Sequence, residues 1–496
     1  MARVRIPLVG SLTNRNVNAA LADTKDQQFV NCFPEITKNP VTGKASIVLN
    51  KRQGTSASAD VSASATGQFG AVVWTSASGS TQAPVFSYLS TGGDIQFFNA
   101  LTALQVGDDV TGVDECLHME ETTISGTGNI TAMLVDDTSS VLEAWFLPDG
   151  GAWTQITDAD FPSSITPAHA HIDGYMIVMA ANGRLHNSDL NSLSAWSATS
   201  YITANSFGDK GVGCARYRNM IVGFGEGSAE FFRNAGNSTG SVLTRIDEAT
   251  LRIGAIRNTQ TRGSAIRSLM NTVYWIGNNP ETGNRGIYRL NGMQAEKVSN
   301  PAIDKLVANG VIRSIVGSFS LLGMSHVAFS SGSTSLWCYC VETGFWWLFT
   351  PAGSLTVSAM LGAVDESSLS KSFFSAVTNA KLYNLNANSP VWQDNSSAYT
   401  MTVQTENMTL GTNREKFWNA LHLDCDVQSA TSEVNVSWSD DDGATFSTAR
   451  AIDTSTSQVW ITELGASRRR IWKLTHAANT AQRISAVEID YTLGAN

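Results

Sequence analysis

The chain of 496 residues has few charged side chains. Asp, Glu, Lys and Arg together make up 15% of the sequence, whereas soluble proteins average about 25%. Charged residues are depleted at the cores of permanent interfaces, so the low value favours a chain whose faces are covered by neighbours in an assembly. The net charge is −10, from 33 basic and 43 acidic residues. This balance argues against tight nonspecific binding to nucleic acid, because such binding needs a basic face.

Long apolar runs are also missing. No stretch approaches the roughly 18 apolar residues that indicate a membrane-spanning helix. The apolar part of the N-terminus, MARVRIPLVGSL, is too short for a signal peptide. These absences predict a protein without a membrane span that is made and kept in a cytoplasm-like compartment.

Cysteine is sparse, and its spacing indicates no disulfide scaffold in so long a chain. The six residues are Cys32, Cys116, Cys214, Cys338, Cys340 and Cys425. Cys338 and Cys340 would share one face of a strand, but the second Cys/His pair of a structural zinc site is not nearby. His169 and His171 also share a strand face without an evident third ligand. We therefore expect no metal site.

The sequence contains instead a long series of short strands separated by turns of Gly, Asn, Asp and Ser. A strand, a turn and a strand ending in an aromatic residue recur, starting at Ala71, Ala132, Tyr175, Met220, Val273, Val327 and Ser372. Their spacing is mostly about 40–60 residues, close to the size of a four-stranded propeller blade. The main helical exception begins at Asn300. We expect an all-β fold in which residues 56–395 form a β-propeller of about six blades.

The two ends of the chain differ from this body. Residues 1–55 predict an N-terminal arm, in which NAALADTKDQQFVNCF forms a short helix that Pro34 ends. Residues 47–49 then form one strand without a local partner. Residues 396–496 contain longer strands with clearer alternation, such as EVNVSWS, and predict a C-terminal β-sandwich-like domain.

The sharpest local motif is SDDDGATF at residues 439–446. Ser439, Asp441, Gly443, Thr445 and Phe446 match an Asp-box, S-x-D-x-G-x-T-W, with Phe in place of Trp. In such a box the Ser and Asp side chains bond to amides of their own loop, Gly takes a positive φ, and the aromatic ring packs beneath the hairpin. Sialidases carry several such boxes in propeller blades, whereas this single box lies in the last domain. We expect a rigid hairpin tip with a structural role.

A glycosidase is the enzymatic alternative. Its chemistry needs two carboxylates about 5–9 Å apart across a sugar, and a sialidase-like site also needs arginines from different blades to grip a carboxylate. The sequence singles out no such set among the carboxylates Asp136, Asp137, Glu226 and Glu230 and the arginines Arg216, Arg257 and Arg285. The run GFGEG at 223–227 lacks the Lys-Ser/Thr pair of a phosphate loop and predicts a hairpin turn. We expect no catalytic residue and no cofactor.

Basic residues form one dense cluster, in SRRRIWK. Arg468, Arg469 and Arg470 open a predicted strand, where they either meet an acidic partner or a phosphate or remain in solvent. Arg3 and Arg5 form a smaller pair near the N-terminus. All of these arginines are candidate partner contacts.

Several segments, taken in order, resemble one family. FVNCFPE and GKASIVLNKRQGT are similar to the start of the tail nozzle, or packaged-DNA stabilisation, proteins of short-tailed bacteriophages. In GEGSAEFFRNAG, Glu230, Phe231, Asn234 and Gly236 occupy the places of that family's mid-chain blade segment. VYWIGNNPETGNRGIYRLNGMQAEKVSNPAID looks like its next blade and helix, and SWSDDDGATF followed by LGASRRRIWKLTHA looks like its C-terminal domain.

The resemblance implies a non-enzymatic virion protein, a subunit of a homo-hexameric tail nozzle or hub that retains packaged DNA and forms the exit channel for ejection. The implied partners are the portal-adaptor ring, a tail tip or plug or tail fibres, and double-stranded DNA that passes through the lumen without specific binding. The implied location is the virion tail, with assembly in the host cytoplasm. The arm would close the propeller or clasp the neighbouring ring. Two alternatives stay open: a propeller glycan hydrolase or glycan-binding tail protein, and a propeller scaffold outside any virus.

Overall fold

The computed structural model describes residues 2–6, 8, 27–38, 45–61, 65–75, 82–204, 206–257, 263–330, 334–364, 370–385 and 391–494. These residues form 40 β-strands, one α-helix of eight residues and one short 3-10 turn, Ala352–Ser354. The expected all-β fold class is therefore confirmed. In the part of the chain that is described, no helix is long and apolar enough to cross a membrane.

Five strands precede the main body of the propeller. They are β1 (Ala2–Ile6), β2 (Gln28–Val30), β3 (Cys32–Lys38), β4 (Ala45–Lys51) and β5 (Ser56–Asp60). The first four join sheets that contain C-terminal strands, whereas β5 joins the propeller.

Five propeller blades are separate antiparallel sheets. The first two contain β6 (Ala65–Thr75), β7 (Gln82–Ser90) and β8 (Ile95–Asn99), and then β9 (Val113–Ile124), β10 (Thr127–Asp136), β11 (Leu142–Leu147) and β12 (Thr154–Gln155). The next two contain β13 (Ala170–Ile172), β14 (Tyr175–Met179), β15 (Arg184–Ser188) and β16 (Trp196–Thr203), and then β17 (Gly211–Tyr217), β18 (Met220–Gly225), β19 (Ala229–Asn234) and β20 (Leu243–Leu251). The fifth contains β21 (Gly254–Ala255), β22 (Ile266–Leu269), β23 (Thr272–Asn278), β24 (Arg285–Asn291) and β25 (Gln294–Lys297).

Two further four-stranded units lie inside a 13-stranded sheet. One contains β26 (Ser314–Leu321), β27 (Met324–Ser330), β28 (Leu336–Cys340) and β29 (Trp346–Phe349). The other contains β30 (Val357–Val364), β31 (Ser370–Ala376) and β32 (Lys381–Asn384), and β5 supplies its outermost strand. The two units are merged because β26 and β30 pair in parallel at Gly317 and Met360. The expected count of about six blades is corrected accordingly: five blades are separate sheets, and the two merged units bring the ring to seven.

The ring is closed by contacts between the innermost strands. These strands touch in the order β6, β9, β13, β17, β22, β26 and β30, and β30 touches β6 again. The hydrophobic core of the propeller is divided in the same way, because six clusters of buried apolar side chains each lie between two neighbouring units, whereas the largest cluster joins the two merged units to the C-terminal sheets. One cluster, for example, joins Val85 and Phe97 of the first blade to Met119 and Leu134 of the second. The stability of each blade therefore depends on its neighbours.

The inner hairpin of several units repeats one geometry. A two-residue turn with positive φ at both positions connects β9 to β10, β13 to β14, β22 to β23 and β26 to β27. The turns are Ser125-Gly126, Asp173-Gly174, Met270-Asn271 and Leu322-Gly323. Such turns match the right-handed twist of the paired strands. Each turn has Gly or Asn at its second position, but only Asp173-Gly174 is the Asp-Gly or Asn-Gly pair that most strongly indicates such a turn in sequence.

The helix, α1 (Pro301–Ala308), begins where the sequence predicts it. Asn300 caps it by accepting a hydrogen bond from the amide of Ile303 at 2.9 Å, and Pro301 occupies the first turn. Ile303, Leu306 and Val307 are buried at helical spacing, and Gly310 takes a positive φ just after the end.

The C-terminal strands form two sheets that face one large core. They are β33 (Met401–Gln404), β34 (Lys416–Cys425), β35 (Glu433–Ser439), β36 (Arg450–Asp453), β37 (Trp460–Thr462), β38 (Ala466–Ser467), β39 (Ile471–His476) and β40 (Arg483–Leu493). One sheet has the order β3-β4-β40-β34-β37, with β1 beside β40, and the other has the order β36-β35-β39-β33-β2 and continues into β29 of the propeller. This arrangement is sandwich-like. The proposed boundaries at 55/56 and 395/396 stay predictions.

The N-terminal segment differs from the expectation in two respects. Gln28–Val30 and Cys32–Lys38 are strands, and Pro34 lies within the edge strand β3 opposite Leu49, where a missing N–H is tolerated. Phe29 and Phe33 are buried in the large core, which explains the extended conformation. The rest of the predicted helix lies outside the described residues. Residues 47–49 belong to β4, which pairs locally with β3 as well as with β40, so the expectation of an unpartnered strand was wrong.

Candidate functional site

The Asp-box sequence forms a hairpin tip after β35. The Oγ of Ser439 donates to Asp441 Oδ1 at 2.7 Å and accepts from the amide of Gly443 at 2.8 Å. Oδ1 of Asp441 also accepts from the amide of Thr445 at 2.9 Å, and Oδ2 accepts from the Thr445 hydroxyl at 2.6 Å. Hydrogen bonds from Ser439 and Thr445 lower the pKa of Asp441 to about 2. The ring of Phe446 lies under the ammonium of Lys473, 5.1 Å away. These bonds are all local, and they hold the tip in one conformation.

Arg470 lies inside the C-terminal core. Its guanidinium donates to both oxygens of Asp440 at 2.7 Å and to the Leu464 carbonyl at 2.6 Å. The rings of Trp418, Trp438 and Trp472 lie 5.1–5.2 Å from its central carbon. Only 1% of the side chain is exposed. The residue therefore joins the Asp-box hairpin to an aromatic cluster within the same chain.

The other four candidate arginines are at the surface. Arg468 and Arg469 are exposed, and Arg469 pairs with Asp442 of the hairpin. Arg3 donates to both carboxylate oxygens of Asp490 at 2.7 and 2.9 Å, and Arg5 donates to the Ser485 carbonyl at 2.7 Å. Arg3 and Arg5 thus lie on the strand pair β1–β40, apart from the hairpin. Their role as partner contacts stays a prediction.

A buried ion pair marks the passage from the C-terminal sheets to the propeller. Arg52 follows β4 and donates to Asp394 from two nitrogens, at 2.8 and 2.5 Å, and neither side chain is exposed. The guanidinium also donates to Asn31 at 2.8 Å and stacks on Tyr399 at 3.7 Å. Four residues later β5 begins, and it pairs with β32. The sequence showed this segment only as a basic turn, because Asp394 is 342 residues away.

Polar side chains fill the axis of the propeller. Arg267 on β22 donates to the carbonyls of Phe69 and Ala71 on β6, at 2.8 and 3.4 Å, although two other units lie between these strands along the ring. His118 on β9 lies 3.2 Å from Glu120.

The innermost histidines on the next blades complete this axial cluster. His169, directly before β13, bonds to Thr131 at 2.7 Å, and His171 on β13 bonds to Arg216 at 2.9 Å. Burial lowers the pKa of His169 to about 3 and that of His171 to about 4. These rings are neutral near pH 7, which suits a packed polar core. Within the described residues, no group of three or more His, Cys, Asp or Glu residues is placed to hold a metal ion.

A pocket of about 460 Å³ lies between the fourth blade, the fifth blade and α1. Its lining is Glu226, Ala255, Ile256, Arg257, Asn278, Arg285, Val307, Gly310, Ile312 and Arg313. Arg257 and Arg285, two of the arginines noted in sequence, therefore meet in one pocket, whereas Arg216 is at the propeller axis. Arg313 was missed, since it follows a helix and lies far from both in sequence.

The remaining sequence candidates occupy separate structural positions. Asp136 closes its own turn by accepting from Thr138 and Ser139, which lowers its pKa to about 2 with Ser139 as the main cause. Glu230 pairs with Arg245 at 2.7 Å. The run at 223–227 ends β18 and turns into β19, as predicted. All six cysteines are free thiols, and five of them are buried.

Comparison with known proteins identifies the family. The family model described as "Bacteriophage P22 Gp10, beta-propeller" matches residues 12–313, which is more than half of the chain. No curated protein matches the chain. A solved structure described as streptogramin B lyase is 12% identical, with coverage of 71% of this chain and 97% of its own and a TM-score of 0.40, and no conclusion rests on it. The chain belongs to the phage stabilisation family of β-propeller proteins, as its arm and blade segments indicated.

Proposed function

We propose that this protein is a structural subunit of a phage tail, one copy in a homo-hexameric nozzle or hub that retains packaged DNA and forms the channel for its ejection. The observation that carries the proposal is the family match over residues 12–313. The low share of charged residues, 15%, agrees with a chain that is largely covered by neighbours. In this role the protein has no catalytic residue and needs no cofactor.

The exit channel would run between copies of the chain. The axis of each propeller is filled, because Arg267 reaches from β22 to the carbonyls of Phe69 and Ala71 on β6. A DNA duplex, whose major groove alone is about 12 Å wide, does not fit through an axis that one side chain bridges. Each propeller is then a solid building block, and a ring of six blocks encloses the lumen.

The net charge supports a lumen that releases DNA. Six copies would carry a formal charge of −60, six times the −10 of one chain. A basic lumen would grip the duplex, since each neutralised phosphate adds a salt-dependent attraction. A neutral to acidic wall, lined by Asp, Glu, Ser, Thr and Asn, would let the duplex pass. Arg468 and Arg469, which are exposed, would then face a protein partner rather than the lumen.

The partners in this proposal are the portal-adaptor ring on one side and the tail tip, plug or fibres on the other. The protein would reside in the virion tail after assembly in the host cytoplasm. The strand pair β1–β40, with Arg3 and Arg5 on it, and the Asp-box hairpin with Arg468 and Arg469 offer two separate surfaces for such contacts.

The purified chain, alone and mixed with the adaptor ring of the same virus, tests the proposal by native mass spectrometry and electron microscopy. We expect rings of six with a central lumen wider than a duplex. Loss of the protein from assembling virions should yield filled heads that leak DNA. A chain that stays monomeric with the adaptor, or virions that retain DNA without it, would contradict the role. Tight binding of duplex DNA to the ring at physiological salt would contradict the acidic lumen alone.

A further inference from the structure

The arginine-lined pocket concentrates positive charge in an acidic chain. Arg257, Arg285 and Arg313 line it, and Glu226 is the only carboxylate among the lining residues that the structure describes. Glu226 comes no closer than 4.0 Å to Arg257, and both side chains are about half exposed. The described lining therefore carries a formal charge of +2, from three arginines and one glutamate, while the whole chain carries −10.

The three arginines come from different parts of the fold. Arg257 follows β21, and Arg285 begins β24, where it pairs with Asn278 on β23. Arg313 lies between α1 and β26, and its Nε donates to the Gly310 carbonyl in the loop that ends the helix. The amides of Asn309 and Gly310 already occupy the carbonyls of Lys305 and Val307 at the helix end. The negative end of α1 is thus partly covered, and Arg313 adds a cation beside it.

The rest of the lining indicates what kind of anion would fit. A volume of about 460 Å³ falls within the range of small-molecule sites, roughly 300–1,000 Å³, and is more than a simple inorganic anion fills. Ile256, which is partly exposed, supplies apolar surface, and the oxygens of Glu226 and Asn278 can accept from hydroxyl groups. A ligand with a carboxylate, several hydroxyls and apolar ring faces matches this combination, and arginine pairs with carboxylates through two parallel hydrogen bonds.

We propose that this pocket binds an acidic saccharide unit, with the sugar carboxylate on the arginines and the sugar hydroxyls on Glu226 and Asn278. The site binds rather than cleaves its ligand, because glycoside hydrolysis commonly needs a second carboxylate and the described lining contains only Glu226. The proposal does not depend on the nozzle role, since a monomer already contains every residue named.

Isothermal titration of the purified full-length chain tests it with D-glucuronic acid, N-acetylneuraminic acid, the methyl ester of glucuronic acid and inorganic sulfate. We expect at least one of the two acidic sugars to bind, and its affinity to exceed that of the uncharged ester by tenfold or more. Arg285→Gln and Arg257→Gln should each weaken binding by tenfold or more. Arg468→Gln, the same change at an exposed arginine outside the pocket, should leave binding unchanged.

Four results would overturn the proposal. They are no binding of either acidic sugar by the wild-type chain, equal binding of the ester, undiminished binding by both pocket variants, and displacement of the sugar by sulfate at equal concentration. The last result would reduce the pocket to a site for any oxyanion.

Because Arg257 and Arg285 are exposed, the variants should fold, and matching thermal unfolding curves would verify this. Arg257→Lys keeps the charge but loses the planar fork, so an intermediate loss would indicate carboxylate recognition.

Discussion

Replacement of Arg52 by Met should destabilise the chain more than any surface change of charge. The Arg52 side chain is fully buried and donates to Asp394, Asn31 and the carbonyls of Gln53 and Thr350. Methionine fills much of the same space but leaves the Asp394 carboxylate inside the protein without its cation. Asp394 would keep only the bond from the Ala352 amide, at 2.9 Å, among its contacts described here.

The expected loss is about 3–5 kcal/mol, the usual cost of breaking a buried ion pair by removing one partner. Much of this cost comes from the charge that remains, so Arg52→Met combined with Asp394→Asn should lose less than Arg52→Met alone. The difference between the double variant and the sum of the single variants measures the coupling between the two groups. A favourable coupling of about 1 kcal/mol or more is expected for a pair with no exposed surface.

Guanidinium denaturation followed by tryptophan fluorescence provides the measurement, with hydrogen exchange on β5 and β32 as a local probe. A chain of this size need not unfold in two states, so the exchange data show whether the loss is concentrated at the propeller closure. Arg3→Met is the matched control, because its ion pair with Asp490 is at the surface and should matter little. An Arg52→Met variant with an unchanged denaturation midpoint and unchanged exchange at β5 would refute the reasoning.

Three further predictions concern neighbouring features. Burial, with Arg52 close by, lowers the pKa of Lys51 to about 7, below the roughly 10.4 of an unfolded chain. Between these two values the unfolded state binds more protons than the folded state, so the free energy of unfolding should rise from pH 7 to 10. Lys51→Met should flatten that rise in denaturation curves measured at several pH values. Gly54→Ala should lower the melting temperature and loosen β5, because a Cβ there would meet the carbonyl oxygen of Gln393 at 2.1 Å; an unchanged melting temperature would contradict this close approach. Asp441→Ala should lower the melting temperature of the C-terminal sheets without removing any catalytic rate. Since the pKa of Asp441 is about 2, the stability that this residue contributes is present above about pH 4 and is lost as the pH falls toward 2. The melting temperatures of the wild-type and variant chains should therefore converge in acid.

The fold class was predictable because its signals are local. Short strands, frequent turns and a recurring segment of about blade length follow from side-chain alternation and turn residues, and the helix at Pro301 follows from its cap. The blade count was less accessible, because the pairing of β26 with β30 and the supply of the last strand by β5 depend on contacts between distant residues.

The candidate sites were predictable only where one short segment contains the whole geometry. The Asp-box hairpin is such a case, since Ser439, Asp441 and Thr445 bond to one another. Arg470 illustrates the opposite case, because the two arginines before it are exposed while its own side chain is packed among three tryptophans. The arginine pocket also assembles residues from separate elements, so no spacing in the sequence reveals it.

The interleaving of the two chain ends explains why the arm makes its described contacts within one subunit. β2 lies between β33 of the C-terminal sheet and β29 of the propeller, and β5 closes the unit formed by β30 to β32. A closing strand of five residues would pair only weakly with the rest of the ring by itself, since short β pairs are marginally stable in water. The Arg52–Asp394 pair fixes the chain directly before that strand, and Asp394 also accepts from the amide of Ala352, which follows the propeller strand β29. The arm therefore acts first within its own subunit, as the link that makes the propeller and the C-terminal sheets one folded unit, and any contact with a neighbouring ring would add to that role.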